Sequence, residues 1–300
     1  MIDLSVSIIH MYHLAQTIAC LRSVFSSTHR IGLEVFVVDN SCMAEDVRTI
    51  TAAFPQARLI SNTKRAGFST NHNQALSQAN GRYLCILNDD TIVHNGALDT
   101  LVAFMDQHPQ AGACGSKLLR PDGSNQPAFS DFTNPIVELV IVPLLLRFFP
   151  QKWDVSNVTP TDWVSGACMV VRRAAADQAG LLDPQFDPAY AEERDWCYRI
   201  KQAGWDIFHV PLAQVTHLGG ETTKYACEAM VVQLYRNKLL FYQKHSNTLA
   251  TLQYRAVLFL LSCFRICGNG LLSCVLGRRD RSRQDLMVNW RVGQFALLGK

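Results

Sequence analysis

The chain has 300 residues, of which 48% are hydrophobic and 18% are charged. That length suits one large domain or two small ones, at roughly 150 residues per domain, and the composition excludes a disordered tail protein, a coiled coil and a collagen-like chain. The net charge of +3 is uneven, with 16 basic and 21 acidic residues in 1–220 and 12 basic and 4 acidic residues in 221–300. The basic, apolar C-terminal part predicts an enzyme attached to an anionic surface, or else an ordinary basic pair of terminal helices.

Strand-like and helix-like stretches alternate through the first part of the chain. The predicted strands cover 4–9, 34–38, 58–61 and 83–87, and the predicted helices cover 14–27, 44–54, 69–79 and 95–108. This alternation is typical of parallel βαβ units and therefore of an α/β domain, in which ligands bind outside the carboxyl ends of the strands. Polar residues follow three of these strands: His10, Asp39-Asn40 and Asn88-Asp89-Asp90.

The later elements are less regular. Residues 121–135 are rich in turn formers and predict a loop. Residues 136–149 are apolar but shorter than the ~20 residues needed to cross a bilayer, so they form a buried helix or a segment in the membrane interface. Residues 256–277 are apolar around Arg265 and predict a hairpin on the membrane surface. Further strands are expected over 163–173 and 207–216, and an amphipathic helix over 226–246.

Ten cysteines are scattered along the chain without CxxC spacing, and most lie in apolar runs. This distribution favours buried, reduced thiols over a disulfide scaffold or a zinc ribbon. Met1 leads directly into a strand-like run, so we expect no signal peptide and a reducing, cytoplasmic setting.

Asn88-Asp89-Asp90 and Asp39 are the first candidate site residues. Adjacent carboxylates repel each other unless a cation compensates, and Mg²⁺ or Mn²⁺ bridging a diphosphate would do so. A turn or a helix N-cap is the alternative interpretation of the same residues. Asp39 is placed to accept from a nucleobase imide or a ribose hydroxyl, or else to cap the following helix. The dinucleotide fingerprint and the P-loop are both absent from the sequence.

Glu192, Glu193 and Asp195 form an acidic cluster at the start of a predicted helix, with Glu192 and Asp195 on one face. A carboxylate there can take a proton from a substrate hydroxyl, although an acidic first turn also suits the helix dipole. His217, after a strand-like run, is either a structural histidine or a contact to a metal or a phosphate.

Seven stretches in this order resemble family 2 glycosyltransferases, and most nearly the bacterial rhamnosyltransferase-like members that build cell-surface polysaccharides. The matching stretches are SVSII (5–9), VVDNS (37–41), NTKRAGFSTNHNQAL (62–76), YLCILNDDT (83–91), DWVSGACMVVRR (162–173), GLLDPQFDPAYAEERDWCYRIKQAGW (180–205) and VTHLGG (215–220). They cover residues 1–220.

The resemblance implies a GT-A fold, an α/β class with a Rossmann-like mixed sheet flanked by helices. It implies a nucleotide-sugar-binding half over 1–115, an acceptor-side half over 116–220, and a helical C-terminal extension over 221–300. It also implies an inverting transfer from a nucleotide-diphosphate sugar, such as a UDP- or dTDP-sugar, to a hydroxyl of a glycan or lipid-linked acceptor.

The implied site residues fall into four groups. Those for the nucleotide sugar are Asp39, Asn40, Gly67, Phe68, Asn73, Asn88 and Asp89; those on the acceptor side are Trp163 and Gly166; those for Mg²⁺ or Mn²⁺ are Asp90 and His217; the catalytic acids are Glu193, as the base, with Glu192 and Asp195. The sequence departs from the family pattern in the Glu192-Glu193 pair, where relatives have Glu-Asp, and in Asp89, where many have Pro.

Three classes of function compete at this point. The first is the enzyme, which we expect to lie on the inner face of the cell membrane and which could form a homodimer. The second is a non-catalytic nucleotide-sugar-binding subunit. The third is a sugar nucleotidyltransferase, which would need a glycine-rich, basic signature that residues 5–20 lack. Nucleic-acid binding is not expected, because the basic residues gather in an apolar segment without a groove-reading motif.

Overall fold

The predicted alternation of strands and helices is confirmed in the computed structural model, which describes residues 1–144, 156–219, 228–276 and 279–299. The strands are β1 Leu4–His10, β2 Leu33–Asp39, β3 Arg58–Ser61, β4 Tyr83–Asn88, β5 Thr91–Val93, β6 Ala111–Leu119, β7 Asn125–Gln126, β8 Phe129–Ser130, β9 Thr159–Thr161, β10 Trp163–Val164, β11 Cys168–Arg172 and β12 Asp206–His217. The α-helices are α1 Leu14–Ser27, α2 Ala44–Ala53, α3 Phe68–Leu76, α4 Ala97–Gln107, α5 Arg173–Ala179, α6 Glu192–Gln202, α7 Glu228–His245, α8 Thr248–Leu276 and α9 Arg279–Leu298.

One mixed sheet organises the first part of the chain, in the strand order β3-β2-β1-β4-β11-β6-β12-β5. The first four strands run parallel, as predicted, and β11 is antiparallel between β4 and β6. Every residue of β1 is buried, because apolar clusters cover both faces of the sheet. The register pairs His10 with Asp39 and Ile9 with Asn88, so three polar strand ends meet at one edge.

Two predicted elements differ in detail. Residues 121–135, predicted as a loop, contain the two-residue strands β7 and β8. The predicted strand 163–173 is divided into β10, which pairs with β8 in a separate two-stranded sheet, and β11, which pairs with β4 and β6 in the main sheet. Strands of two residues carry no periodic sequence signal, which is why the pattern missed them.

The cysteine prediction holds for the described part of the chain, where eight cysteines are free. Five of them are buried, and burial raises the pKa of the Cys20 and Cys197 thiols to about 12. Such thiols stay protonated and unreactive at neutral pH.

The described residues fall into two compact units, one within 1–132, 153–188 and 192–220, the other within 133–152, 189–191 and 221–300. The domain boundaries drawn from the sequence stay predictions. In the second unit, helices α7, α8 and α9 share an apolar cluster with Leu139. The Tyr242 hydroxyl bonds Thr133 O at 2.8 Å and donates to Glu138 Oε2 at 2.7 Å, while Lys238 Nζ lies 2.9 Å from Glu138 Oε1.

Two sequence predictions concern apolar segments of this unit. Within 136–149, the described residues include a π-helical turn, Val137–Ile141. Leu139 of this turn is buried, whereas Val140, Ile141 and the preceding Ile136 are exposed. Residues 145–149 lie outside the described part of the chain. The predicted hairpin over 256–277 is wrong, because α8 continues without a break to Leu276. A glycine costs a helix only ~1 kcal/mol, so Gly268 and Gly270 are tolerated within the long helix.

Candidate active site

Asp39 and Asn40 lie at the end of β2, both buried. Oδ1 of Asp39 accepts from the backbone N–H of Ser41 at 2.9 Å and from the Ser41 hydroxyl at 2.7 Å. Within the residues that the structure describes, no group donates to the other carboxylate oxygen of Asp39. A partner for a nucleobase or ribose donor is therefore available at this edge of the sheet.

A loop after β3 is held over this edge by asparagine side chains. Asn40 donates to Ala66 O at 3.1 Å and accepts from Ala66 N at 2.9 Å, and Asn71 donates to the same carbonyl at 3.0 Å. Asn62 bonds Asn71 at 2.7 Å. Asn40 thus shapes the loop directly, and the sequence analysis did not single out Asn62 or Asn71.

Asp187 caps the helix that follows this loop. Its carboxylate accepts from Ser69 N at 2.9 Å and from the Thr70 hydroxyl at 2.5 Å, although Ser69 lies 118 positions away. Gly67 precedes the helix in an extended conformation that any residue could adopt, but a Cβ there would lie 2.1 Å from Asp187 Cγ. Gly67 is therefore required by the close approach of Asp187 and not by its dihedral angles.

Gly67→Ala is accordingly expected to lower the free energy of unfolding by ~1–3 kcal/mol, as overpacking does, and to weaken the cap of α3. Urea denaturation of the two single variants and the double variant tests this. In an Asp187→Gly background the added methyl meets neither the carboxylate nor the Cβ of residue 187, which would otherwise lie 2.4 Å away, so Gly67→Ala should cost much less there. If Gly67→Ala lowers the free energy of unfolding equally in both backgrounds, the added methyl does not collide with the Asp187 side chain.

Asn73 and Phe68 occupy the same helix, α3. Both amide atoms of Asn73 bond the backbone of Leu182, at 2.7 Å to the carbonyl and 3.1 Å from the N–H. Phe68 is half-buried and stands edge-on to His72, with the ring centroids 4.4 Å apart. Asn73 thus links α3 to the backbone of Leu182. Its assignment to the nucleotide sugar stays a prediction.

Asp90 and His217, predicted as metal ligands, are brought together by the pairing of β12 with β5. His217 Nε2 lies 3.2 Å from Asp90 Oδ1 and 3.3 Å from Asn88 Nδ2, 129 positions from Asn88 in the sequence. The backbone N–H of Leu218 donates to Asp90 O at 2.8 Å, which fixes the two segments together. Among the described residues no group of three or more His, Cys, Asp and Glu side chains is placed to hold a metal.

Asp89 lies within this turn and is half-buried. Burial, together with the charge of Asp90, raises the pKa of the Asp89 carboxyl to about 6. Its Oδ2 accepts from Thr17 Oγ1 at 3.1 Å, and Thr17 Oγ1 lies 2.7 Å from His10 Nδ1. His10 Nε2 in turn lies 3.0 Å from Asp46 Oδ2. Asp89 is therefore joined to a chain of polar groups through the buried Thr17 and His10, and this chain supports the turn.

The three acids of α6 differ in their surroundings. Asp195 is fully buried and pairs with Arg199, whose Nε lies 2.8 Å from its Oδ2 and whose other nitrogens donate to Ala179 and Leu181 carbonyls. Glu192 is also buried, whereas Glu193 is half-buried. The predicted helix is confirmed and begins at Glu192. Of the three, Glu193 is the carboxylate that a substrate could reach.

Gly166 joins Glu193 to the Asn88–Asp90 turn. A Cβ on Gly166 would lie 3.5 Å from Glu193 Cβ and 3.7 Å from Phe68 Cζ. The next residue, Ala167, accepts the Asn88 N–H at 3.1 Å. Trp163 lies three residues before Gly166 in β10. The short segment 166–167 therefore lies next to both Glu193 and the Asn88–Asp90 turn, called the acidic turn below.

Gln126 and Asp187, like Asn62 and Asn71, are site residues without a role predicted from the sequence. Gln126 Nε2 lies 3.0 Å from His217 Nδ1, on a strand of two residues within a turn-rich segment. Asp187 stands inside a quoted motif, and only its partner 118 positions away reveals its contact. An Asp-Pro dipeptide favours a turn, but it does not indicate what the carboxylate caps.

Comparison with known proteins shows the family to which the chain is similar. The family model described as "Glycosyl transferase family 2" matches residues 8–179. N-acetylglucosaminyl-diphospho-decaprenol L-rhamnosyltransferase of Mycobacterium tuberculosis is 26% identical over 223 residues, which are 68% of this chain and 72% of that protein. O-antigen biosynthesis protein RfbC of Myxococcus xanthus is 29% identical over 175 residues, 55% of this chain but 13% of that protein.

Among solved structures, the chain is similar to mannosyltransferase PcManGT of Pyrobaculum calidifontis in complex with GDP-Man and Mn²⁺. The TM-score is 0.59 at 15% identity, with 99% of this chain and 88% of that chain covered. At such low identity the likeness shows the fold, and it confirms the predicted GT-A-type mixed sheet flanked by helices.

Proposed function

The chain belongs to glycosyl transferase family 2, and from that membership we propose that it moves a sugar from a nucleotide-diphosphate donor to a hydroxyl of a glycan or lipid-linked acceptor, with inversion at the anomeric carbon. Glycosyl transfer in cell-surface polysaccharide synthesis is the activity that its rhamnosyltransferase and O-antigen relatives support. The observation that carries the proposal is the segment 166–167, which joins Glu193 to the Asn88–Asp90 turn.

Sugar transfer to a hydroxyl needs a group that accepts the hydroxyl proton. The acceptor hydroxyl oxygen forms a bond to the anomeric carbon while the bond to the leaving diphosphate oxygen breaks, and Glu193 takes the hydroxyl proton. Asp195, neutralised by Arg199, supports the helix that carries Glu193. Asp39 binds the nucleoside, and Asn40, Gly67 and Phe68 shape the loop and helix beside it.

The residues beside the acidic turn fit a divalent cation. Asp90 offers a carboxylate, His217 an imidazole nitrogen and Asn88 an amide, and the first two lie in contact at 3.2 Å. Carboxylate oxygens suit Mg²⁺ and Mn²⁺, and an imidazole favours Mn²⁺ of the two. When bound, such an ion supplies positive charge against the leaving diphosphate.

A donor panel tests the proposed activity. UDP-, dTDP- and GDP-sugars are each titrated with and without Mn²⁺ while the melting temperature is followed, because a ligand that binds only the folded state raises it. The stabilising donor is then incubated in labelled form with prenyl-diphosphate-linked sugar acceptors. Binding of a donor without hydrolysis or transfer would favour the alternative, a non-catalytic nucleotide-sugar-binding subunit.

We also propose attachment to the cytoplasmic face of a membrane through the second unit. Exposed apolar residues recur every three or four positions along α8, where Thr248 and Arg265 are also exposed: Leu249, Leu252, Ala256, Leu260, Phe264 and Cys267. One helix stretch, Thr248–Cys267, is long and apolar enough to cross a membrane, and 17% of it is buried. The net charge of +8 in residues 221–300 favours anionic lipid. A lipid-linked acceptor would be presented at such a surface.

Replacing Leu260 and Phe264 together by glutamine is expected to reduce flotation of the full chain with anionic vesicles by at least ~5-fold, since burying an apolar side chain contributes ~1.5–3 kcal/mol. Leu212→Gln is the matched control, because Leu212 is 79% exposed in the first unit, against 65% for Leu260 and 77% for Phe264. If the wild-type chain sediments as a dimer and does not float with vesicles, the exposed apolar residues of α8 instead bind a second copy of the chain.

A further inference from the structure

Both ring nitrogens of His217 have polar neighbours. Nε2 faces Asp90 Oδ1 at 3.2 Å, and Nδ1 faces Gln126 Nε2 at 3.0 Å. A Cβ on Gly219 would lie 3.6 Å from Gln126 Nε2 and from His217 Nδ1, so the main chain packs against this contact. The imidazole is therefore held on both sides, and Gln126 is the group that sets its orientation from outside the acidic turn.

The turn that carries Gln126 is itself well fixed. Arg120 N donates to Ser124 O at 2.8 Å, Gly123 N donates to Arg120 O at 2.9 Å, and Asp122 accepts from Ser124 N at 2.9 Å. Strand β7 then pairs Gln126 with Leu118 of β6. A side chain on such a turn can hold its partner with little loss of backbone entropy at the moment of binding.

The amide of Gln126 can serve both protonation patterns of the His217 ring. To offer the Nε2 lone pair to a cation, the ring must carry its proton on Nδ1, and the group facing Nδ1 must then accept. Without a cation, Nε2–H donates to Asp90 and Nδ1 accepts from the amide NH₂. A glutamine supplies a donor or an acceptor at nearly the same place by turning its amide over.

We propose that Gln126 is a positioning residue for the cation site, which holds the imidazole of His217 by Nδ1 and presents Nε2 beside Asp90. The inference rests on the proposed function and adds a residue to it. It predicts that Gln126 acts on cation affinity through His217 and does not touch the nucleotide sugar.

The experiment titrates Mn²⁺ into the full chain, alone and with UDP, and measures free Mn²⁺ by its paramagnetic resonance signal. Gln126→Leu is expected to weaken Mn²⁺ binding by ~10–100-fold, the range for partners of metal-bound histidines. Gln126→Glu keeps an acceptor for Nδ1–H and should stay within ~3-fold of the wild type. Nitrogen-15 spectra of labelled histidine, with the His217 signals identified from His217→Ala, should show Gln126→Glu shifted to the Nδ1–H form before Mn²⁺ is added.

The outcomes separate the two proposals. If His217→Ala loses Mn²⁺ binding and Gln126→Leu does not, the role of Gln126 is overturned while the cation site stands. If Gln126→Glu binds as weakly as Gln126→Leu, or its His217 spectrum is unchanged, the acceptor argument is overturned. If neither Asp90→Ala nor His217→Ala affects Mn²⁺ binding, the cation site fails and the role of Gln126 fails with it. Should Gln126→Leu fail to fold, the spectra of Gln126→Glu still test the role of Gln126.

Discussion

Glu193→Gln is expected to lower the rate of sugar transfer by at least ~10²-fold while donor affinity changes little. The amide is nearly the same size as the carboxylate but cannot accept the proton of the acceptor hydroxyl. Glu193 is the half-buried acid at the start of α6, beside Gly166, whereas Glu192 and Asp195 are buried. The rate is measured with saturating donor and acceptor, and donor affinity by calorimetry.

Glu192→Gln and Asp195→Asn are the controls for this prediction. Asp195→Asn should act mainly on stability, because it leaves the Arg199 guanidinium beside a neutral, fully buried partner. Breaking one half of such a pair costs ~3–5 kcal/mol, and denaturant unfolding will show it. If Asp195→Asn or Glu192→Gln abolishes transfer in a stable protein while Glu193→Gln stays active, the base is a different acid of the cluster.

Asp90→Ala is expected to abolish the Mn²⁺-dependent part of donor binding and to lower transfer by ~10³-fold, an effect of the size seen when a group that stabilises developing charge is removed. The fold should persist, because the backbone carbonyl of Asp90 that binds Leu218 N is retained. Donor affinity is measured with Mn²⁺ and again in EDTA, and transfer is followed with labelled donor.

Removing the cation tests the same site without a mutation. EDTA should stop transfer by the wild type, and excess Mn²⁺ should restore it, whereas Asp90→Ala should respond to neither. Asp177→Ala, which removes an exposed acid of α5, is the charge control. Full activity of the wild type in EDTA, or of Asp90→Ala under any condition, would contradict a metal-dependent mechanism.

Local patterns in the sequence determined much of the first unit. The β-branched runs and the helical periodicity between residues 4 and 108 predicted β1 to β4 and α1 to α4 with ends close to the observed ones. These signals depend on neighbouring residues alone, so a single sequence carries them. The same patterns placed Asp39 and Asn88-Asp89-Asp90 after β2 and β4, the two strands that flank β1, and the register brings these strand ends to one edge of the sheet.

Tertiary structure decided what each polar residue touches. The pairing of β12 with β5 brings His217 to Asp90. The pairing of β7 with β6 brings Gln126, from a strand too short to show a period, to the far side of the same ring. Asp187 meets Gly67 in the same way. The resemblance singled out Glu193 among the acids of α6, but burial and the Arg199 partner of Asp195 are visible only in the structure. Such contacts depend on how distant segments pack, and no local periodicity or capping preference encodes the identity of a partner more than 90 positions away.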